Sequence, residues 1–250
     1  MSPSPPQWAD KVFFHADIGP ELHAHIALKP LVALVNTCKA AGDAIPYRNA
    51  NARTTLAKFC SWDACLQRGV RLGALRLLEY VHEQGYEWKE PFTDGAAFGG
   101  HLHLVMWLRE HGCPWTTETT TGAAAGGHLD LLKYAHEQGC EWDEGVMNAA
   151  AVHGHLNCLK YAVEKGCPRW DATCSNAAYN DHLDCLKYAH EQGFEWDETV
   201  SLAAVRGGSL ECLRFARERG CPWDKDKCAE WAAEAGHLDC LEYISGQCPH

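Results

Sequence analysis

The chain has 250 residues, 46% of them hydrophobic and 22% charged, which is enough for a sizeable core and is not the composition of a disordered protein. No apolar run approaches the roughly 18 residues that span a bilayer, and the opening MSPSPPQWADK has neither the basic nor the apolar part of a secretory signal. We therefore expect a soluble protein of the cytoplasm or nucleus, with no membrane partner.

The formal net charge is −11, and the acidic excess lies in the later part of the chain. Residues 91–250 carry twelve Lys and Arg against twenty-four Asp and Glu, a balance of −12. Such a surface repels phosphate backbones, so the composition argues against nucleic acid as a partner. It is compatible with a basic protein partner.

The first segment in chain order is residues 1–60. Its stretch GPELHAHIALKPLVALVNTCKAAG predicts one or two amphipathic helices, and we expect them to form a helical cap over the apolar end of residues 61–250. Residues 18–40 also resemble an F-box, although the stretch is several residues shorter than that pattern. The resemblance implies an adaptor that recruits a ubiquitin ligase. The matching positions are Pro20, Glu21, Leu22, Ile26, Leu31, Leu34, Val35, Cys38 and Lys39.

Residues 61–250 repeat one pattern of an Ala pair, two variable residues, Gly-His-Leu, an apolar run and a Gly. The Ala-rich part predicts a short helix that neighbours can approach closely, and the apolar run predicts a second helix that ends at the Gly. One such pair cannot bury its apolar side alone, whereas stacked copies share a core. The sequence therefore predicts an all-α solenoid of about seven helix pairs. The residue before the recurrent Leu recurs at a spacing of 27 five times and then 28, at Ala74, His101, His128, His155, His182, Ser209 and His237.

The run AAxxGHL(D/E)xLKYxxExG resembles the ankyrin repeat over about residues 62–248. The resemblance implies an ankyrin-like α-solenoid of stacked helix-turn-helix units. Ankyrin repeats are usually about 33 residues long, because a β-hairpin finger projects between units. Here only short runs such as CPWTTETT connect the pairs. We therefore expect shortened or absent fingers, as in divergent arrays of large DNA viruses, algae and oomycetes, and no binding through them.

Nine of the fourteen cysteines follow the repeat frame: five come after the second helix, and four lie inside it at a position where other units have Leu. Because Cys packs as a small hydrophobe, this interchange predicts buried, reduced thiols. Equivalent positions in adjacent units lie roughly one helix-packing distance apart, about 8–10 Å, which is too far for a disulfide. Zinc at H-x-x-C pairs such as His182 and Cys185 is the alternative, but no C-x-x-C completes a four-ligand site. We predict no metal and no cofactor.

Nine of the fifteen histidines occupy repeat positions, either in the turn of a unit or near the end of its second helix. An active site needs one constellation of a nucleophile, a base and an orienting group, and no G-x-S-x-G, Walker A or Rossmann run is present. We predict that the protein is not an enzyme and that the turn histidines stabilise their turns by hydrogen bonds. The positions are His82, His101, His111, His128, His136, His155, His182, His190 and His237.

Tryptophan also follows the frame, in the connection between units. A row of indoles there would replace the packing of the missing finger, although a partly exposed aromatic row is also a possible binding stripe. We predict the structural role. The row is Trp88, Trp115, Trp142, Trp196 and Trp223, with Trp170 displaced by one residue.

The residues that do not repeat lie between the Ala pair and the turn, and one helical turn earlier on the same face. The ankyrin resemblance implies that these side chains are exposed on the concave face. Either they bind a protein partner or they are tolerated surface variation. We predict a monomeric scaffold, unless the end at GQCPH self-associates, with a partner bound at Phe98, Asn148, Val152, His153, Ser175, Tyr179, Asn180, Leu202 and Arg206.

Overall fold

The computed structural model describes residues 62–83, 88 and 91–246. The predicted helical cap and the F-box-like stretch in residues 1–60 lie outside this part. All regular secondary structure in the described ranges is helical. The helices are α1 Trp62–Arg71, α2 Leu75–Glu83, α3 Phe92–Phe98, α4 Leu102–Glu110, α5 Thr117–Ala125, α6 Leu129–Glu137, α7 Gly145–Val152, α8 Leu156–Glu164, α9 Thr173–Tyr179, α10 Leu183–Glu191, α11 Glu198–Gly207, α12 Leu210–Glu218, α13 Lys225–Ala235 and α14 Leu238–Ser245.

These helices form seven pairs, in which a short turn separates a first helix from a second helix. In the turn between α5 and α6, the backbone N–H of His128 donates to Ala123 O at 2.9 Å and that of Gly127 donates to Ala124 O at 3.2 Å. This pair of bonds satisfies the last carbonyls of the first helix. It requires a left-handed residue, which Gly127 supplies at φ +74°.

First helices of neighbouring pairs pack much more closely than second helices do. The close approach is possible because the residue at their contact is an alanine, whose methyl group takes little space. The alanines at this position are fully buried: Ala96, Ala123, Ala150, Ala177, Ala204 and Ala232. A stack whose first helices are closer together than its second helices bends toward the first helices. We call the exposed side of the first helices the inner face.

The core confirms the interchange of Leu and Cys inside the second helix. Leu104 and Leu131 are 2% and 1% exposed, and Cys158, Cys185 and Cys212 at equivalent positions are 1%, 1% and 0% exposed. All ten cysteines with described side chains are buried and free. Burial raises the pKa of these thiols, for example that of Cys167 and that of Cys174 to about 12.

The Trp row lies where each second helix leads into the next unit, and its members are partly buried. A cation or an imidazole from the end of the same second helix covers each indole. The His136 ring stacks on Trp142 with centroids 3.8 Å apart, and the Arg109 guanidinium lies 4.0 Å from the Trp115 centroid. Trp142 also contacts Tyr161 of the next unit edge-on at 6.1 Å. These contacts join adjacent units, which supports the structural role predicted for the row.

One unit departs from this arrangement. Arg169 stands at the frame position of the indole, donates to Gln192 O and Gly193 O of the next unit, and lies 4.6 Å from the Phe194 ring centroid. The displaced Trp170 is 37% exposed. Arg169 therefore provides the contact between units that Trp provides elsewhere.

Candidate functional site

The turn histidines act between units rather than within their own turns. Each Nε2 lies 3.0–3.2 Å from the carbonyl at or next to the end of the first helix of the preceding unit. The sequence predicted hydrogen bonds from these histidines without naming their acceptors, and the structure places the acceptors in the preceding unit. His111, predicted near the end of a second helix, lies at the end of α4 and bonds Trp107 O. The pairs are His101–Arg71, His128–Phe98, His155–Ala125, His182–Val152 and His237–Arg206.

This arrangement fixes the backbone directly beneath the inner face. The residue whose carbonyl is bound by the next unit is also the last variable residue of the first helix, so its side chain projects from a backbone held on both sides. Arg206 is such a residue: its carbonyl accepts from His237, while its side chain is exposed. Tyr179 is equivalent, and its carbonyl accepts a 3.5 Å bond from Ser209 Oγ.

The inner surfaces of α9, α11 and α13 enclose a groove of about 320 Å³. The sequence predicted four of its residues. The other four were missed, although Trp231 stands at a frame position where the first helices α3 to α11 have Gly, Ala or Asn, which is a signal that could have identified it. The lining residues are Ser175, Asn176, Tyr179, Thr199, Leu202, Ala203, Arg206 and Trp231.

Two of the three helices that bear the groove have a side-chain cap, and α9 and α11 make a close contact. The Asp197 carboxylate accepts from Thr199 N and caps α11, and the Asp224 carboxylate accepts from Lys227 N and caps α13. A Cβ added to Gly207 would lie 1.8 Å from Tyr179 O, so only glycine permits this approach of α11 to α9. The backbones of α9 and α11 are therefore in direct contact at Gly207.

Two side chains dominate the groove. Tyr179 is 49% exposed, an unusual state for a large aromatic residue. The Arg206 guanidinium lies over Trp231, with its central carbon 4.6 Å from the ring centroid. The two ion pairs in the described part are Arg76–Glu79 and Arg214–Glu211, so Arg206 has no carboxylate partner there.

The other predicted residues lie on the inner face but outside the groove. Phe98 is 48% exposed on α3, beneath the Arg71 guanidinium at 5.8 Å. The Asn148 side chain is occupied, because its Oδ1 accepts from Asn176 Nδ2 at 2.6 Å and so ties α7 to α9. Val152, His153 and Asn180 lie at the ends of α7 and α9, where Asn180 Nδ2 donates to Asn176 O.

The inner face carries both partly buried and exposed carboxylates. Asp94, on α3, is partly buried and accepts from the Thr119 and Thr116 hydroxyls. Burial raises the pKa of this carboxyl above its usual value, and the hydroxyl bonds oppose the rise. Glu230 and Glu234 are exposed on α13. Among the described residues, no group of three His, Cys, Asp or Glu side chains is placed to hold a metal ion.

The comparisons with known proteins agree with this architecture. No family model and no curated protein matches the chain. Among solved structures, the ankyrin repeat domain of human ASB11 is similar, with a TM-score of 0.56 over 74% of this chain and 99% of that chain. The protein has the ankyrin repeat fold. At 19% sequence identity, the likeness concerns the fold alone.

The ankyrin stack here has no β-finger in the ranges that the structure describes. The resemblance predicted from the sequence, and the expectation of shortened or absent fingers, are both confirmed. No helix in the described ranges is both long and apolar enough to cross a membrane. Within these ranges no strand projects beside the inner face.

Proposed function

We propose that the protein is a non-enzymatic scaffold that binds a protein partner along the inner face of its ankyrin stack. One observation carries the proposal: the groove of α9, α11 and α13 exposes Tyr179 together with Arg206, whose guanidinium lies over Trp231. Tyr, Trp and Arg are the residue types that contribute most to binding energy at protein interfaces. Leu202, which also lines the groove, adds apolar surface for a partner to contact.

The scaffold favours binding because its surface is formed before the partner arrives. The backbone under Tyr179 and Arg206 is held by the next unit through Ser209 and His237. Little backbone ordering is then lost on association, and this lowers the entropic cost of binding. Affinity depends on the exposed side chains, while the repeats supply their positions.

The chemistry of the repeated residues supports a role without catalysis. The turn histidines use Nε2 in bonds to backbone carbonyls, so that nitrogen is engaged. Burial raises the pKa of Cys158 and of Cys185 to about 11, which keeps both thiols protonated at neutral pH. A nucleophile and a base poised for catalysis need the opposite properties.

Site-specific photo-cross-linking in the native cell tests the proposed surface. A benzoyl-phenylalanine placed at Tyr179 should give partner adducts. The same group placed at Lys160, an exposed residue of the second helix α8, should give none. Adducts from Lys160 but not from Tyr179 would place the partner on the opposite side of the stack and refute the proposal.

The F-box-like stretch in residues 18–40 supports a second proposal, an adaptor whose ankyrin stack selects a client for a ubiquitin ligase. Its support is the sequence alone, from the Pro20-Glu21-Leu22 start to Cys38. A ligase core subunit should co-purify with the full chain and disappear when residues 1–45 are deleted. Co-purification that survives the deletion would contradict the adaptor role.

A further inference from the structure

We propose that the groove of α9, α11 and α13 binds an acidic linear segment of the partner, whose carboxylate pairs with Arg206. An adjacent apolar side chain of that segment packs on Leu202 and Tyr179. This inference rests on the proposed function and specifies the chemistry of the partner. The proposed segment is acidic, whereas the net charge of −11 by itself favours a basic partner.

The groove differs in charge from the protein as a whole. Of its eight lining residues, Arg206 is the charged one, and no carboxylate is among them. At the frame position of Arg206, the first helices α1 to α11 carry two arginines and no acidic residue; the acid at this position is Glu234 on α13. From α1 to α11, the residues at this position are Arg71, Phe98, Ala125, Val152, Tyr179 and Arg206.

The Arg206 side chain lacks a carboxylate partner among the described residues. Its guanidinium lies over the Trp231 ring, with the central carbon 4.6 Å from the centroid, and its N–H groups form no hydrogen bond there. The N–H edge of a guanidinium matches the two oxygens of a carboxylate and can form two parallel hydrogen bonds. In the part of the chain that the structure describes, no ion pair or hydrogen bond occupies the Arg206 side chain.

Three other polar side chains of the groove already donate within the protein. Asn176 Nδ2 donates to Asn148, the Ser175 hydroxyl donates to Ala172 O, and the Thr199 hydroxyl donates to Asp197. Arg206 is the cation among the lining residues, so it is the group that can form an ion pair with a carboxylate. The apolar surface beside it, from Leu202 and the Tyr179 ring, is where a neighbouring side chain of the same segment gains burial.

The size and borders of the groove fit a peptide segment. Its volume of about 320 Å³ is at the low end for small-molecule sites, roughly 300–1,000 Å³, and suits a few side chains. Glu230 and Glu234, both exposed on α13, are not paired with Arg206. They repel an acidic residue that approaches above α13, so we expect the carboxylate of the segment to lie above α11.

Selection from a phage-displayed library of random 12-residue peptides tests the inference on the full chain. The wild-type protein should enrich sequences with Asp or Glu next to an aromatic or aliphatic residue. For a synthetic peptide from that set, Arg206→Gln should weaken binding at least about tenfold, as expected when a hydrogen-bonded charge loses its partner. Arg206→Glu should instead enrich peptides with Lys or Arg at the position of the acid.

The matched control is Arg214→Gln. Arg214 lies on the second helix α12, and its guanidinium also lies over an aromatic ring, that of Tyr243. This substitution should leave peptide binding unchanged. If the enriched peptides are neutral or basic and their binding is lost in Tyr179→Ala, the acidic inference is overturned and the inner-face function stands. If no peptide is enriched, or if Tyr179→Ala and Arg206→Gln both bind as wild type, both are overturned.

Discussion

Asp181 and Ser209 depart from the repeat together, and the two positions face each other across adjacent units. Asp181 has φ +61°, a left-handed conformation that glycine supplies in the other described turns between paired helices. A Cβ built on the glycine of the preceding turn, Gly154, would lie 2.4 Å from His182 of the next unit. Where the turn carries Asp181 and therefore a Cβ, the next unit has Ser209 in place of the histidine.

Ser209→His should destabilise the protein, because the imidazole would meet the Cβ of Asp181. We expect a loss of about 1–3 kcal/mol in the free energy of unfolding, as for other overpacked sites. In the Asp181→Gly background the same histidine should be accepted and should bond Tyr179 O. Urea unfolding of the double-mutant cycle should therefore show a coupling of at least about 0.5 kcal/mol. Additive effects would mean that the two departures are unrelated.

The stability of the stack should fall as the pH is lowered, in part through His155. Burial lowers the folded-state pKa of His155 below its ordinary value of 6.5, and the neighbouring histidines His153, His128 and His182 lower it further. The unfolded chain then binds the proton first, so this contribution is complete above pH 6.5 and declines as the pH falls below it. His155→Gln should reduce the slope of unfolding free energy against pH between about pH 7 and 5.

The control for His155 is His103→Gln, an exposed histidine on α4 outside the turn positions. This variant should retain more of the slope of unfolding free energy against pH than His155→Gln does. An unchanged slope in His155→Gln would show that this imidazole does not link protonation to folding.

Buried thiols should react slowly in the native protein. Burial raises the pKa of Cys140 and of Cys240 to about 11 and that of Cys212 to about 12, so their thiolate population at pH 8 is small and shielded. The ten described cysteines are buried, so of the fourteen at most Cys38, Cys60, Cys65 and Cys248 should label rapidly with iodoacetamide. Peptide mass spectrometry identifies the labelled sites, and rapid labelling of Cys212 would contradict the burial.

Replacing a tryptophan of the row should lower the free energy of unfolding more than replacing the displaced Trp170. Trp142→Ala removes a ring that stacks on His136 and contacts Tyr161 of the next unit, and should cost about 2–3 kcal/mol, somewhat less than a fully buried aromatic. Trp170→Ala removes a side chain that is 37% exposed and should cost under about 1 kcal/mol. Equal losses in urea unfolding would show that the row does not join the units.

The repeat period determined much of the fold in advance. A spacing of 27 residues with Ala pairs and Leu/Cys interchange defines paired helices and their core, because these properties belong to each unit alone. The acceptors of the turn histidines were not predictable in this way. Nε2 of His155 bonds Ala125 O in the preceding unit, and the one-dimensional pattern does not specify which carbonyl lies nearest.

The candidate site was predictable in position more than in composition. Tyr179, Leu202 and Arg206 were expected on one face because variable positions fall there, and the structure brings them into one groove. Trp231 was missed because it lies outside the variable positions of the frame, at a position where the first helices α3 to α11 have Gly, Ala or Asn. Net charge gave no indication of the groove's sign, since carboxylates elsewhere dominate the total.

The most direct test of the inner face is the affinity of the cross-linked partner, once purified, for wild type and for the Tyr179→Ala/Arg206→Ala double variant, measured by titration calorimetry. Circular dichroism and urea unfolding should show both proteins folded, because neither side chain contributes to the core. Loss of two interface residues of these types predicts an affinity at least about 100-fold lower. An unchanged affinity in a folded double variant would contradict binding along the inner face.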